Sequence, residues 1–294
     1  MSEDANTPIL ATLPGRLREW ANHAIGPAGS FVTQDLTGEL WQSADEGRLI
    51  VGLLDDAASA IADLIEAGCT PLMAANWLGS AFALSSDRRR TTAPNLMWRL
   101  PMEDAASLCQ RLRAALALPQ DLTTPPLLPE LRKPADTLAN KLIESFLRPL
   151  QSFAESSHQL VLIWPHGSFL SGDPPHEVAL EQVELLGPAR ILLHGPHLPL
   201  PAGWWEAELQ LFFSDEACRR TFVVEMVVEE IIGMIRLKPT SAGTFRTRMM
   251  FHNPRADHPV GLRVVLEHGA IEGRIGLESV RLRHSRSGDF ADRG

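Results

Sequence analysis

The C-terminal part of the chain alternates apolar and polar residues with a period of two. From Trp205 to Phe213, apolar residues at every second position are separated by Glu206, Glu208 and Gln210. The stretches 245–251 and 262–266 alternate in the same way. Because successive side chains of a β-strand point to opposite faces, this period predicts strands with one face in a core and one in solvent.

Other stretches complete the pattern of a β-rich region. Residues 159–164 form a short apolar run that ends at Pro165. The stretch 221–228 is apolar at both even and odd positions, as a central strand would be. In the stretch 275–282 the apolar parity switches, which predicts a bulge near Glu278 and Ser279. Several short strands without a helical pattern predict an antiparallel, jelly-roll-like β-sandwich over residues 158–284, followed by a disordered tail at 285–294.

The first 122 residues carry helical signals instead. Ser43 and Glu46 fit a capping box, followed by a predicted helix from Glu46 to Ala67 that places Asp55 and Asp56 on a solvated face. Thr70 and Pro71 predict the start of a second helix reaching Leu84. A third helix is predicted over 103–118, so residues 1–122 are interpreted as a helical domain.

A proline-rich stretch, residues 123–134, is interpreted as an extended linker because its four prolines exclude a regular helix. A connecting helix is predicted over 135–157, with a kink at Pro149, whose ring would clash with the Ser145 carbonyl. The predicted fold class is therefore α+β, with a helical N-terminal half followed by an antiparallel β-sandwich.

Composition excludes some functions. The net charge of −9 and the pI of about 5.6 argue against a nucleic-acid-binding protein, which would present a basic face to phosphates. No apolar run approaches the roughly 20 residues of a membrane span. The acidic N-terminus lacks the features of a secretory signal, and Cys69, Cys109 and Cys218 are sparse and unpaired in sequence, so we expect a cytoplasmic protein with reduced thiols.

The region 181–283 resembles the carbohydrate-binding-like β-sandwich modules associated with bacterial glycosyltransferases. The resemblance lies in Gly195-Pro196-His197, the turn Leu200-Pro201-Ala202-Gly203, the strand 204–213 and the final segment 273–282. His197 stands where that family tends to have an aromatic ring, and Trp204-Trp205 replaces a polar–aromatic pair. The resemblance implies a sugar-associated module rather than a catalyst.

Four residues form the predicted ligand site: Trp204, His197, Glu206 and Glu208. Trp204 shares its parity with the two glutamates and so should point away from the core, whereas Trp205 shares its parity with Leu209. An exposed tryptophan beside carboxylates suits a sugar, because the ring contacts its C–H face and the carboxylates bind its hydroxyls. The alternative is that Trp204 covers a sheet edge or packs beneath the helical half.

The sequence predicts no catalytic residue, no metal site and no cofactor. His194 and His197, with His252, His258 or His268, could converge on a metal, but a turn does not enforce the geometry that a helical motif provides. Ser168, Asp173 and His176 supply the residue types of a hydrolase triad without the surrounding nucleophile-elbow motif.

The leading hypothesis is a non-catalytic glycan-associated binding or accessory protein, with an oligosaccharide or a glycosyltransferase as partner. One alternative is a scaffold protein that oligomerises or docks a protein partner through its helical half. Another is an unrecognised enzyme with a site between the halves, using histidines from 166–176 and 194–197.

Overall fold

The computed structural model describes residues 8–25, 31–35, 50–86, 95–98, 104–118, 125–156, 159–256 and 258–285. The chain divides into two compact units, Met1–Asn140 and Lys141–Gly294. Apart from Ser285, the tail predicted to be disordered lies outside the described residues.

The first unit contains a four-stranded parallel sheet in the order β2-β1-β3-β4. Its strands are β1 (Ile9–Thr12), β2 (Val32–Asp35), β3 (Ile50–Leu54) and β4 (Asn95–Trp98). The helices of its described part are α1 (Arg16–Ile25), α2 (Ala57–Glu66), α3 (Pro71–Ser85) and α4 (Ala105–Ala115). Every residue of β1 and β3 is buried, as in parallel sheets that are covered on both faces.

The parallel sheet corrects the prediction of a helical N-terminal half. Residues 50–54, assigned by the sequence to a helix over 46–67, form strand β3, and only α2 is helical. Asp55, predicted on a solvated face, is 6% exposed, and Asp56 is the N-cap of α2, accepting a hydrogen bond from the Ala58 amide at 3.0 Å. A strand buried on both faces has no alternation, so its short apolar run also fits a helical pattern. Ser43 and Glu46 lie outside the described residues.

The next two predicted helices are confirmed. Thr70 caps α3 by accepting a hydrogen bond from the Met73 amide at 3.3 Å, and Pro71 occupies the first turn, where no amide is needed. The start of α4 is capped by Asp104, which accepts from the Ser107 amide at 2.7 Å.

The proline-rich stretch is extended over its described residues 125–134 and binds the helices of its own unit. The Trp20 indole donates to the Pro126 carbonyl at 2.8 Å, and the Arg132 amide donates to the Ser59 hydroxyl at 2.8 Å. The Arg132 guanidinium pairs with Glu66 at 2.6 Å. These contacts fasten the stretch along α1 and α2.

The second unit contains two antiparallel sheets that together confirm the predicted β-sandwich. One has the order β13-β10-β15-β5, with β8 also paired to β15, and the other has the order β12-β11-β14-β9-β6-β7. The strands are β5 (Val161–Pro165), β6 (Leu170–Gly172), β7 (Pro175–Val178), β8 (Val183–Glu184), β9 (Arg190–Pro199), β10 (Gly203–Phe213), β11 (Phe222–Val227), β12 (Ile231–Leu237), β13 (Gly243–Asn253), β14 (Pro259–Leu266) and β15 (Arg274–Ser285).

The core of the sandwich follows from the alternation in the sequence. The inward residues of β10, from Trp205 to Phe213, are all at most 2% exposed. Phe213 of one sheet packs against Phe222 of the other, with ring centroids 5.1 Å apart. The predicted bulge is confirmed: the pairing of β10 with β15 shifts between Gln210 and Leu211, leaving Glu278 out of register.

A helical segment precedes β5, and its part in the second unit contacts the open edge of that strand. It consists of α5 (Thr137–Leu142), a π-helical turn over Ile143–Leu147 and α6 (Arg148–Ser156). The Ser145 hydroxyl donates to the Ile163 carbonyl of β5 at 2.9 Å. The π-helical turn ends two residues before Pro149, where the sequence predicts a departure from regular helix.

Among the described residues, no helix combines the length and apolar character needed to cross a bilayer. The three cysteines are free thiols, with Cys109 buried in the first unit. Cys109 belongs to an apolar cluster that also includes Leu10, Trp20 and Leu112.

Candidate functional site

Trp204 and Trp205 are adjacent in β10 and lie on opposite faces of the sheet. The Trp204 side chain is 45% exposed, whereas Trp205 is fully buried and its indole donates to the Pro201 carbonyl at 3.0 Å. The structure therefore places the two rings as the parity of the sequence predicts. Trp204 presents an aromatic surface on the outward face of β10.

The neighbours of Trp204 come from the two strands that flank β10. Trp204 pairs with His252 of β13 and with Ser285 of β15. The Trp204 and His252 rings lie with centroids 5.1 Å apart and planes inclined at 59°. His252 therefore holds one side of the indole, because inclined aromatic pairs at this separation attract each other.

Below Trp204, two glutamates of the same face form ion pairs with arginines of the flanking strands. Glu206 pairs with Arg283 of β15 at 3.5 Å, and Glu208 pairs with Arg248 of β13 at 2.7 Å. The side chains of Glu206 and Glu208 are 19% and 16% exposed. The pairs set carboxylate acceptors and guanidinium donors side by side, an arrangement that can hydrogen-bond neighbouring hydroxyl groups.

The Glu208 carboxylate is kept ionised by its surroundings. The Arg248 hydrogen bond is the largest cause that lowers the pKa of Glu208. Burial opposes it, and the charges of Arg248, Arg283 and Arg246 lower the pKa further. The group therefore acts as an acceptor across the neutral pH range.

His197 is not on this face. It belongs to β9, in the six-stranded sheet, with a φ of +56°. Its ring lies directly over Gly261 of β14, since a Cβ built on Gly261 would come within 2.5 Å of the imidazole. Burial, followed by the charges of His194 and Arg263, lowers the pKa of His197. The structure thus brings Trp204, Glu206 and Glu208 together and assigns His197 to the other sheet.

The remaining histidines occupy separate places. His194 and His197 have ring centroids 6.2 Å apart, and the His258 imidazole lies 3.2 Å from the Glu229 carboxylate. His268 is 79% exposed beside Glu267. Within the described ranges, no three histidine, cysteine, aspartate or glutamate side chains form a group that could hold a metal ion.

The hydroxyl of Ser168 is engaged rather than poised for catalysis. It donates to the Pro165 carbonyl at 2.6 Å, and the residue is 1% exposed. The side chain of His176 is outside the described part of the structure. Ser168 is therefore most simply a structural residue of the turn after β5.

An open groove of about 610 Å³ lies at the other end of β10 from Trp204. Phe212, on the same outward parity as Trp204, contributes to its wall. The further walls come from the segment around β8, the turn after β10 and the start of β15, and they include Glu184, Leu186, Asp215, Ile271 and Glu272. Its volume lies within the range of small-molecule sites.

The carboxyl edge of the parallel sheet is a second place where an α/β structure can bind a ligand. Here both helix starts already bind a carboxylate of the chain: Asp63 accepts from the Arg16 amide at 2.9 Å, and Asp56 caps α2. A cavity of about 20 Å³ beside them, room for about one water, includes the buried Thr12 hydroxyl, which has no hydrogen-bond partner among the described residues. The negative charge at these positions disfavours the phosphate that such helix starts commonly bind.

The sequence suggests His252 only as a possible metal ligand, and sequence reasoning missed Arg248, Arg283 and the groove. The alternation around Arg248 was visible, but the pairing that sets it beside Glu208 depends on strand order and register. The groove joins segments near residues 184, 215 and 272, and no local pattern links them.

No protein-family profile matches this chain, and no curated protein sequence is significantly similar to it. Several solved structures are similar to part of it. The carbohydrate-binding module BiXyn10A CBM1 shares 16% identity with a TM-score of 0.24, covering 30% of this chain and 58% of that one. The module TmCBM61, solved with β-1,4-galactotriose, shares 10% identity with a TM-score of 0.29, covering 42% of this chain and 88% of that one.

A third similar structure is the CBM36-1 domain of a multidomain xylanase from the hindgut metagenome of Trinervitermes trinervoides. It shares 11% identity with a TM-score of 0.28, covering 43% of this chain and 98% of the domain. This chain spans only 58% and 22% of the first two similar structures, BiXyn10A CBM1 and the arabinofuranosidase MgGH51. These likenesses are partial, and at such TM-scores they carry no information about what this chain binds. The association with glycosyltransferases stays a prediction.

Proposed function

We propose that the β-sandwich is a non-catalytic glycan-binding module whose ligand lies along the outward face of β10. Trp204 forms the platform for a sugar ring, and the pairs Glu206–Arg283 and Glu208–Arg248 bind its hydroxyl groups. His252 orients the indole. His197, in the other sheet, is not part of this site.

The observation that carries this proposal is the exposure of Trp204 next to planar charged groups. Large aromatic side chains are mostly buried, yet this indole is 45% exposed while its neighbour Trp205 is fully covered. A ring face meets the C–H groups of a sugar, and the adjacent ion pairs supply both donors and acceptors. These are the two kinds of contact that a polyhydroxylated ligand requires.

The test is a fluorescence and calorimetric titration of the whole protein with neutral oligosaccharides of different linkages. We expect a saturable response that Trp204→Ala weakens by at least about tenfold, since an aromatic anchor at a site contributes about 2 kcal/mol or more. The matched control is Trp77→Ala. Trp77 is 42% exposed but lies on α3 of the first unit, so its loss removes a comparable tryptophan from elsewhere.

The two variants separate the outcomes. Equal weakening by Trp204→Ala and Trp77→Ala would show that the signal does not arise at β10. A flat response of the unmodified protein to every neutral oligosaccharide would contradict the proposal. If Trp204→Ala unfolds the protein, Trp204 belongs to the core and not to a platform.

A second candidate function, docking of a protein through the first unit, is favoured by one surface. Met73 and Trp77 are four residues apart on α3 and so share one side of the helix, and they are 51% and 42% exposed. Exposed apolar pairs of this kind occur in protein interfaces. Sedimentation of the protein over a range of concentrations tests self-association. A stable oligomer that Trp77→Ala dissociates would support this function, and a monomer at all concentrations would contradict self-association.

A further inference from the structure

The groove at the Phe212 end of β10 carries a strong negative charge. Glu184, Asp215, Glu216 and Glu272 line it, and Arg274 is the one basic residue among its described lining. Glu184, Asp215 and Glu272 form no ion pair among the described residues. The Trp204 end of the same face differs, because there Glu206 and Glu208 are each paired with an arginine.

The Glu216 carboxylate is stabilised in its charged form. Its own backbone amide and the Ser214 hydroxyl lower the pKa of Glu216, and the charge of Arg274 contributes in the same direction. Glu216 therefore keeps its negative charge at neutral and mildly acidic pH.

The walls of the groove are fixed by backbone hydrogen bonds between its three segments. The Leu185 amide donates to the Gly273 carbonyl at 2.9 Å, and the Ser214 amide donates to the Arg274 carbonyl at 3.0 Å. The Arg274 amide in turn donates to the Ser214 hydroxyl at 2.9 Å. Because these walls are already ordered, a ligand can bind there without the loss of conformational entropy that ordering a loop would require.

Apolar side chains lie among the carboxylates. Leu186 and Ile271 are 63% and 76% exposed, and both line the groove with Phe212. An occupant that covers them gains from burial, while positive charge on it would be attracted by the unpaired carboxylates.

We propose that this groove binds the amine-bearing units of a glycan, that is, saccharides with free protonated amino groups. Such a unit offers an apolar C–H face to Leu186, Ile271 and Phe212 and an ammonium to Asp215 and Glu272. The inference rests on the proposed function in taking the ligand to be a glycan, but it concerns a separate place on the sandwich.

We choose a saccharide rather than a basic peptide as the ligand because the groove and the proposed sugar platform lie on the same strand, β10. Trp204 and Phe212 lie on the same side of β10, eight residues apart, which corresponds to about 27 Å at the rise of an antiparallel strand. A linear glycan bound along β10 from the Trp204 platform would run towards this groove. The ligand class therefore follows from the platform and from the charge at its far end.

The experiment compares two oligomers of equal length, a glucosamine hexamer with free amines and its fully N-acetylated counterpart, by calorimetry of the whole protein at low salt. We expect the free-amine oligomer to bind about fivefold to tenfold more tightly, since exposed ion pairs contribute up to about 1 kcal/mol each. This preference should fall as salt screens the charges.

Two double variants with the same change in net charge locate the effect. Asp215→Asn with Glu272→Gln removes two groove carboxylates, and Glu177→Gln with Glu230→Gln removes two exposed carboxylates elsewhere on the sandwich. The preference for the free amine should disappear in the first variant and persist in the second. It should also persist in Trp204→Ala, even where overall affinity falls.

Equal binding of the two oligomers, or a preference that the groove variant retains, would overturn the proposal without affecting the Trp204 platform. A lysine-rich peptide that binds through Asp215 and Glu272 when the free-amine oligomer does not would also overturn it and assign the groove to a basic peptide. Loss of neutral-oligosaccharide binding in Trp204→Ala is scored separately, so failure of the groove and failure of the platform are distinguishable.

Discussion

The two faces of strand β10 use the same eleven residues of chain for opposite purposes. The inward side, from Trp205 to Phe213, is buried against the second sheet, while the outward side runs from Trp204 through Glu206 and Glu208 to Phe212. A one-residue step decides whether a tryptophan holds the fold together or faces solvent. Residue type alone therefore does not identify a binding residue, and the face of the strand to which its side chain points must be known too.

The largest expected difference between the faces concerns the two tryptophans. Trp205→Ala should lower the free energy of unfolding by about 3–5 kcal/mol, because it removes a fully buried ring and leaves a cavity. Trp204→Ala should lower it by less than about 1 kcal/mol, as for exposed positions. Denaturant unfolding of both variants measures this. Similar losses of unfolding free energy in the two variants would mean that the two faces of β10 do not differ in burial as described.

A second expected effect concerns Gly276, where backbone comes close to the outward face. Gly276 pairs with Phe212, and a Cβ added to it would lie 2.6 Å from the Glu181 carbonyl oxygen. Gly276→Ala should therefore destabilise the sandwich by about 1–3 kcal/mol, because backbone atoms must move to admit the methyl group.

Thermal unfolding tests this, with Ser279→Ala as a matched control. Ser279 directly follows the bulged Glu278 on the same strand and already has a Cβ. If Gly276→Ala melts at the same temperature as the unmodified protein, the Glu181 carbonyl does not lie as close to Gly276 as described.

The smallest expected effect concerns the exposed pair Glu208–Arg248. A double-mutant cycle with Glu208→Gln and Arg248→Gln should give a coupling energy of about 0.2–1 kcal/mol, the range for pairs near the surface. Because the folded-state pKa of Glu208 lies below its usual value of 4.5, the pair stabilises the fold above that pH and loses its effect as the pH falls below it.

Unfolding measured between pH 7 and pH 3 checks the sign. The stability difference between the unmodified protein and Glu208→Gln should shrink as the solution becomes more acidic. A difference that grows in acid would contradict the assigned pairing.

Whether a strand alternates apolar and polar residues explains which parts of the fold could be predicted from the sequence. The strands of the sandwich, the bulge at Glu278 and the outward direction of Trp204 all follow from a period of two. Strand β3 has no such period, since both of its faces are covered, and its short apolar run therefore predicts a helix equally well. Local pattern thus identified the antiparallel unit and missed the parallel sheet.

The candidate site was predictable only in part, for a related reason. Trp204, Glu206 and Glu208 share one strand, so parity sufficed to group them. His197 lies only seven residues before Trp204 but in the other sheet, because the chain crosses between sheets at the turn 200–202. The positions of the two arginines and of the groove depend on the register between strands that are distant in sequence. A single sequence does not reveal that register.

The hydrogen bond from Ser145 to the edge strand β5 determines where a stable fragment of the second unit should begin. A fragment beginning at residue 159 would lose this helical segment and leave the outer edge of β5 free to pair with another molecule. A fragment beginning at residue 135 would retain it. We therefore expect the longer fragment to be soluble as a monomer and the shorter one to aggregate, so the autonomous folding unit starts more than twenty residues before its first strand.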